Sequence, residues 1–174
     1  MSHAALFVLR VVMGSLVAGH GSQKMFGWFD GPGLKKWSSI TESMGMKPGS
    51  FFGPAGAMGE FGGGVLTALG FLNPIGPIAV ITMMILATIK GHWGKPIWAS
   101  KGGAELAVTF LAGATAVALD GPGQYSLDSL LGIKLPRWLT ALSVLGAVGA
   151  IVSATRPDLV ERVIGNKPAQ ETEQ

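Results

Sequence analysis

The sequence predicts an all-α fold, a polytopic membrane helical bundle, and three observations carry that prediction. Of the 174 residues, 48% are hydrophobic and only 13% are charged. With a mean hydropathy of +0.45, that balance is typical of integral membrane proteins. Five apolar segments, residues 4–21, 51–72, 74–90, 103–119 and 138–155, approach the ~17–25 residues that a helix needs to cross a bilayer. Arg10, Glu60 and Glu105 interrupt three of them. A charge at the centre of a span costs roughly 2.5–3.5 kcal/mol, so such side chains face a bundle interior and mark pairing or function.

The first segment lacks a basic leader and carries Arg10 within it, so it is expected to remain as a span and not to be cleaved as a signal. In the loop 22–50, Gly31-Pro32 opens an amphipathic helix. Leu34, Trp37, Ile40 and Met44 share one face, while Lys35, Lys36, Ser39, Glu42 and Ser43 share the other, and Gly45 closes it. Two placements fit that pattern: flat on the membrane with Trp37 at headgroup depth, or folded as a cap over the bundle mouth.

Asn73-Pro74, with Gly76 and Pro77, makes the second and third segments antiparallel neighbours, because proline removes a donor and stops helix propagation. Trp28, Trp37, Trp93 and Trp98 in the first and third loops, with Trp138 opening the fifth segment, match an interfacial aromatic belt. Residues 1–155 form one transmembrane bundle and 156–174 a polar tail.

Loop charges set the expected orientation. With five spans, Lys24, Lys35, Lys36, Lys47, Lys90, Lys95, Lys101, Arg156, Arg162 and Lys167 gather on one side, against Lys134 and Arg137 on the other. That bias places the N-terminus outside and the C-terminus inside. The net charge of +3 is spread over these loops and forms no basic helix, so nucleic acid is not an expected partner.

Cysteine is absent, which excludes disulfides, thiol redox chemistry and thiolate-held metal centres. No phosphate-binding glycine loop or nucleophile elbow occurs; the glycines from 59 to 64 lie inside a span and read as packing residues. No metal is predicted. His20 and His92 end the first and third spans on one side, but two terminal imidazoles without a packed ligand pocket are a poor haem site.

Measured from the outer end at ~1.5 Å per residue, Arg10 lies roughly 9 Å deep, Glu60 about 15 Å, Glu105 about 21 Å and His20 about 24 Å. Gly56, Ala57, Gly63 and Gly64, three and four residues from Glu60, are all small, so the Glu60 face is expected against another helix. Gly14 with Ala18 and Ala112 with Ala116 repeat this spacing on other spans. An Arg10–Glu60 pair would serve as a register-fixing contact or as part of a proton site. Glu105, near a helix start, reads either as a cap at the positive dipole end or as a chemical group; if Arg10 pairs with Glu60, Glu105 must be protonated, find His20 or Lys101, or reach water near the inner mouth.

The stretch His20-Gly21-Ser22-Gln23-Lys24-Met25-Phe26-Gly27-Trp28-Phe29 resembles the HG-x-QK-x-FGWF signature of DoxX-family membrane proteins. Glu60-Phe61-Gly62-Gly63-Gly64 is similar to that family's E-x-x-GG, and Glu105 matches its fourth-helix acidic residue. Gly121-Pro122-Gly123-Gln124-Tyr125-Ser126-Leu127-Asp128 resembles its GPG-x-YSLD close. The resemblance covers about Leu6 to Asp128 and implies a four-helix bundle in a bacterial cytoplasmic membrane. It also implies kinship with the small subunit of thiosulfate:quinone oxidoreductase and with redox-stress complexes. The chain departs from the family pattern by adding 138–155 and by placing Leu106, not an aromatic residue, after Glu105.

Three functions follow as expectations. In the first, Arg10, Glu60 and Glu105 line a catalytic quinone or proton pocket with His20, Gln23 and Lys24 at its inner mouth, and the chain is a membrane subunit of a redox complex with quinone as cofactor. In the second, the chain is a noncatalytic accessory subunit anchoring a larger assembly. In the third, it is a small transporter. All three share the lipid bilayer as a partner, and the first two add other membrane or membrane-associated redox subunits.

Overall fold

A computed structural model of the chain describes residues 1–159. The expected tail lies outside the described residues from 160 onward, together with Arg162 and Lys167. Helix α1 runs His3–Phe26, α2 Gly33–Ser43, α3 Gly49–Leu69, α4 Ile75–Leu86, α5 Glu105–Asp120, α6 Leu127–Leu131 and α7 Arg137–Thr155. The last turn of α4 widens into a π-helix over Ala87–Gly91, and a 3-10 turn occupies Ala99–Lys101. No strand occurs among the described residues.

Each of the expected apolar segments forms a helix, and the connections behave as their residues dictate. Ser2 caps α1 by accepting from the Ala5 N–H at 3.2 Å, and the left-handed Gly27 at φ 73° ends it. α1 thus continues five residues past the expected stop at Gly21. Gln23 and Lys24 are therefore helical and not in a loop. The cause is packing: Gly21 lies against the backbone of α3, where an added Cβ would sit 2.6 Å from Phe61 Cα. The Phe26 ring then meets the Phe61 ring edge-on at 5.3 Å.

α1, α3, α4 and α5 form a four-membered ring, with α1 against α3 and α5, and α4 against the same two. The α1–α3 seam is glycine-built. A Cβ on Gly14 would sit 2.5 Å from the Ala68 nitrogen, and one on Gly64 2.7 Å from the Gly14 oxygen. Of the small residues read from the sequence, Gly14, Ala18 and Gly64 form this seam and fix the register of the two helices through backbone contact, Gly63 packs instead on Ala79 and Val80 of α4, and Ala112 on α5 is exposed. Opposite it, Met13, Val17, Val80, Met84, Phe110 and Val117 interdigitate as the apolar core between α1, α4 and α5.

Gly64→Val forces α1 and α3 apart. We expect a loss of at least about 2 kcal/mol in a reversible detergent-denaturation titration. Gly62→Ala, where a Cβ meets nothing within 4 Å, should leave that titration unchanged.

α2 folds against α3 and α1, which is the cap arrangement and not the surface one. Its buried side is rotated from the expected face: Ser38 meets Gly49 and Gly53 of α3, and Thr41 is 1% exposed. The Thr41 hydroxyl donates to the Trp37 carbonyl at 2.9 Å, which lets a polar side chain sit at the seam. Glu42 ties the cap down by accepting from the Gly49 N–H at 3.1 Å.

α7 packs chiefly on α4. α1 and α7 are long and apolar enough to cross a membrane, with 24 and 19 residues, and only 6% of the apolar window of α7 is buried. A helix this apolar and this uncovered is suited to lipid and not to water.

Candidate functional site

Polar groups collect at opposite ends of the bundle. Lys24 and Arg10 both lie on α1, 14 positions apart, about 21 Å along the axis.

At one end Arg10 is 2% exposed. Its Nη1 donates to the Ala68 carbonyl and its Nη2 to the Tyr125 carbonyl. No carboxylate pairs with it among the described residues, so the expected Arg10–Glu60 pair does not form. The reason is register: the glycine seam sets Arg10 beside the C-terminal end of α3, two helical turns beyond Glu60. Nearby, Asp128 accepts from the Leu72 and Asn73 N–H groups, both at 2.8 Å. Its own N–H donates to the Gly70 carbonyl at 3.1 Å. Arg10 and the close of the Gly121–Asp128 motif together clamp the α3–α4 turn. Sequence reasoning left Asp128 without a role, although an acidic residue beside a Pro-Gly turn is suited to hold backbone donors.

At the other end Lys24 forms an ion pair with Glu60, its Nζ donating to Oε1. Glu60 is 4% exposed. The Lys24 ammonium also stands 4.4 Å from the centroid of the Trp37 ring. Trp37 therefore turns inward and leaves the aromatic belt to Trp28, Trp93, Trp98 and Trp138, all of which are exposed. The geometry follows from extending α1: Val17, Gly21 and Lys24 recur at helical spacing and share the face that meets the bundle.

Two cavities meet at this ion pair. The larger, about 640 Å³, lies under α2 between α3, α4 and α7, and Lys24, Trp37, Glu60, Lys90 and His92 are among its polar walls. The smaller, about 310 Å³, lies between α1, α4 and α5, with His20, Lys24, Glu60 and His92 among its walls. The π-helical turn carries Ala87 and Lys90 into these walls, with His92 just beyond it. π-turns are frequently found at functional positions, and no residue pattern marks this one in advance.

Three buried side-chain atoms among the described residues have no hydrogen-bond partner: Arg10 Nε, Trp37 Nε1 and Glu60 Oε2. The last two, one a donor and one an acceptor, are on side chains that line the larger cavity. The indole nitrogen lies against the stretch of α3 that carries Glu60: a Cβ on Gly56, one turn from Glu60, would lie 4.0 Å from Trp37 Nε1. His92 Nδ1 lies 2.7 Å from the Gly102 carbonyl. Because a carbonyl only accepts, Nδ1 carries a proton, which in the neutral ring leaves Nε2 as the acceptor.

Of the other expected site residues, His20 lines the smaller cavity and sets its ring edge-on to Phe110 at 6.1 Å. Gln23 lines neither cavity and reaches the Phe29 carbonyl at 3.5 Å. Glu105 is exposed, and its Oε2 accepts from the Ala99 N–H at 2.8 Å, not from His20 or Lys101. Its own N–H donates to the Ile97 carbonyl at 2.9 Å, so the carboxylate braces the loop that leads into α5.

The family model for DoxX matches residues 5–93. The chain belongs to the DoxX family. The matched region of this DoxX protein holds both partners of the ion pair, Trp37 and both cavity histidines, whereas Glu105, the Gly121–Asp128 motif and α7 lie beyond it. No curated protein and no solved structure matches the chain. Family membership and the uncovered apolar helices together identify a DoxX-family membrane protein whose helices contact lipid.

Proposed function

We propose that this DoxX-family protein is the membrane subunit of a quinone-linked redox complex in a bacterial cytoplasmic membrane, and that the larger cavity holds the quinone head. The observation that carries this reading is the pair of unpartnered buried atoms, Trp37 Nε1 and Glu60 Oε2, on one mostly apolar cavity. A buried polar atom without a partner costs about 1–3 kcal/mol, and a ligand with one acceptor and one donor relieves both. A quinone in its reduced form fits that requirement, since its hydroxyls both accept and donate, whereas the oxidised carbonyls accept from Trp37 alone; when bound the group supplies a two-electron, two-proton couple.

In this reading each side chain has a task. Trp37 Nε1 donates to a ring oxygen and orients it. Glu60 Oε2 receives a hydrogen bond or a proton from the opposite oxygen, while Lys24 holds the carboxylate in place through Oε1. His92, walled into both cavities with Nε2 free, is placed to pass protons toward Glu60 from the loop side. Electrons come from a partner subunit. The orientation that suits this has Lys24, Lys90 and the α2 cap on the inner side of a five-span topology, with the N-terminus outside and the C-terminus inside.

The test is the lipid extract of protein purified from its own membranes in mild detergent. We expect redox-active quinone in the wild type and a several-fold reduction in Trp37→Phe, which keeps the ring but loses one hydrogen bond worth about 1 kcal/mol. A wild-type extract free of quinone would overturn the proposal. The accessory-subunit reading is favoured by a different observation, the exposed outer face of α7 with Trp138, Leu142 and Leu145, which suits a neighbouring helix as well as lipid. Full activity of a co-purified partner with Glu60→Gln would favour that reading.

A further inference from the structure

The larger cavity is bigger than a ring head requires. A void of about 150 Å³ accommodates a benzene-sized ring, and this one measures about 640 Å³. Met83 and Leu86 of α4, Phe51 and Phe52 of α3, and Ala150 and Ser153 of α7 line it too, and Phe51 and Phe52 stand nine and eight residues from Glu60, about 12 Å along α3, so the cavity extends from the ion pair as a slot between these helices. Phe51 is 63% exposed, so this end of the slot opens outward between α3 and α7. The surface there belongs to α7, which is apolar and almost uncovered.

The α7 wall is made of small residues. Gly146 and Gly149 lie one helical turn before Ala150 and Ser153, and a Cβ on either would meet nothing within 4 Å. The open space thus continues along this face of the helix. At its inner end the same cavity reaches Glu60, nine-tenths buried and with Oε2 unpartnered.

We propose that the slot between α3 and α7 is a lateral portal for a ligand with a long apolar tail, and that the small side chains at Ala150 and Ser153 make the space for that tail. This rests on the quinone reading and extends it: the head sits at Lys24, Trp37 and Glu60, and the tail leaves through the slot into lipid. α7, outside the matched family region, is then a specificity element of this chain. Lys90 at the cavity wall makes an anionic phospholipid the competing occupant.

The experiment uses the full chain in micelles and follows Trp37 fluorescence, taken as the difference from Trp37→Phe. The probes are a benzoquinone bearing a decyl tail and the same ring without it. Ala150→Phe combined with Ser153→Phe fills the slot; Val148→Phe, on the far side of α7 and 52% exposed, is the control. We expect the filled variant to bind the tailed probe about tenfold more weakly, the loss when roughly two methylenes leave a buried slot. Binding of the tailless ring should be unchanged in that variant, which also shows that it is folded, and the control should match wild type for both probes.

Equal weakening of both probes, or no weakening of either, overturns the portal while leaving the head site standing. Wild-type protein that binds neither probe overturns the quinone reading and the portal with it. Displacement of the tailed probe by phosphatidylglycerol but not by phosphatidylcholine assigns the slot to an anionic phospholipid and overturns the proposed ligand class.

Discussion

Lys24→Met is expected to destabilise the protein by about 3 kcal/mol, near the lower end for breaking a buried ion pair. The lower end applies because the Lys24 side chain keeps 20% of its exposure while that of Glu60 keeps 5%. Removing the ammonium strands a carboxylate whose second oxygen already lacks a partner, and it also removes the cation from the Trp37 face. The double variant Lys24→Met with Glu60→Leu removes both charges, replaces them by apolar volume, and should return to within about 1 kcal/mol of wild type. A double-mutant cycle by reversible detergent denaturation measures this as a coupling of at least about 2 kcal/mol, the single loss of Glu60→Leu adding to it. Simple additivity of the two single losses would show that the pair is not coupled. The double variant should also lose quinone binding while remaining folded, which separates the stability of the site from its use.

Arg10→Met is expected to cost a similar amount, about 3 kcal/mol, for a different reason and at the other end of the bundle. The guanidinium makes two charge-assisted hydrogen bonds to carbonyls, each worth about 1.5–3 kcal/mol, and methionine leaves both carbonyls buried without a donor. The loss should be local. Amide exchange should rise at Leu72, Asn73 and Asp128, whose N–H groups are held in the adjoining clamp, and remain unchanged at the α2 cap. Arg10→Lys should recover only part of the loss, because a single ammonium does not reproduce the planar fork that reaches two carbonyls. Quinone binding should be unaffected in the folded variant; its loss there would contradict the separation of the two clusters.

These two predictions concern a basic residue on the same helix, and the sequence distinguished them only in part. Arg10 stood out because it sits within an apolar run, where a charge is costly. Lys24 reads as a loop lysine at the inner mouth of the pocket, since polarity rises after Gly21 and apolar periodicity is the signal that marks a span. The helix in fact continues, because Gly21 lets the backbone of α3 approach and the last turn is held by contact and not by composition. Glu60 was recognisable by the small residues around it, and its burial follows from them. Glu105 was equally conspicuous as a letter in the sequence, but as the first residue of α5 its carboxylate folds back onto the Ala99 N–H.

Local chemistry written along the chain was enough to determine the helical class, the number and approximate extent of the apolar helices, the small-residue faces of α1 and α3, and membership of the DoxX family. Each depends on residues close in sequence, whose periodicity and turn chemistry act wherever the chain goes. The tertiary structure alone decided which acid met which base, that α2 closes over a cavity with Trp37 turned inward, and that α7 walls one side of it. Those outcomes depend on the azimuth and axial register of packed helices. Register here is set by backbone atoms meeting across glycines, a contact that no spacing of charged residues encodes.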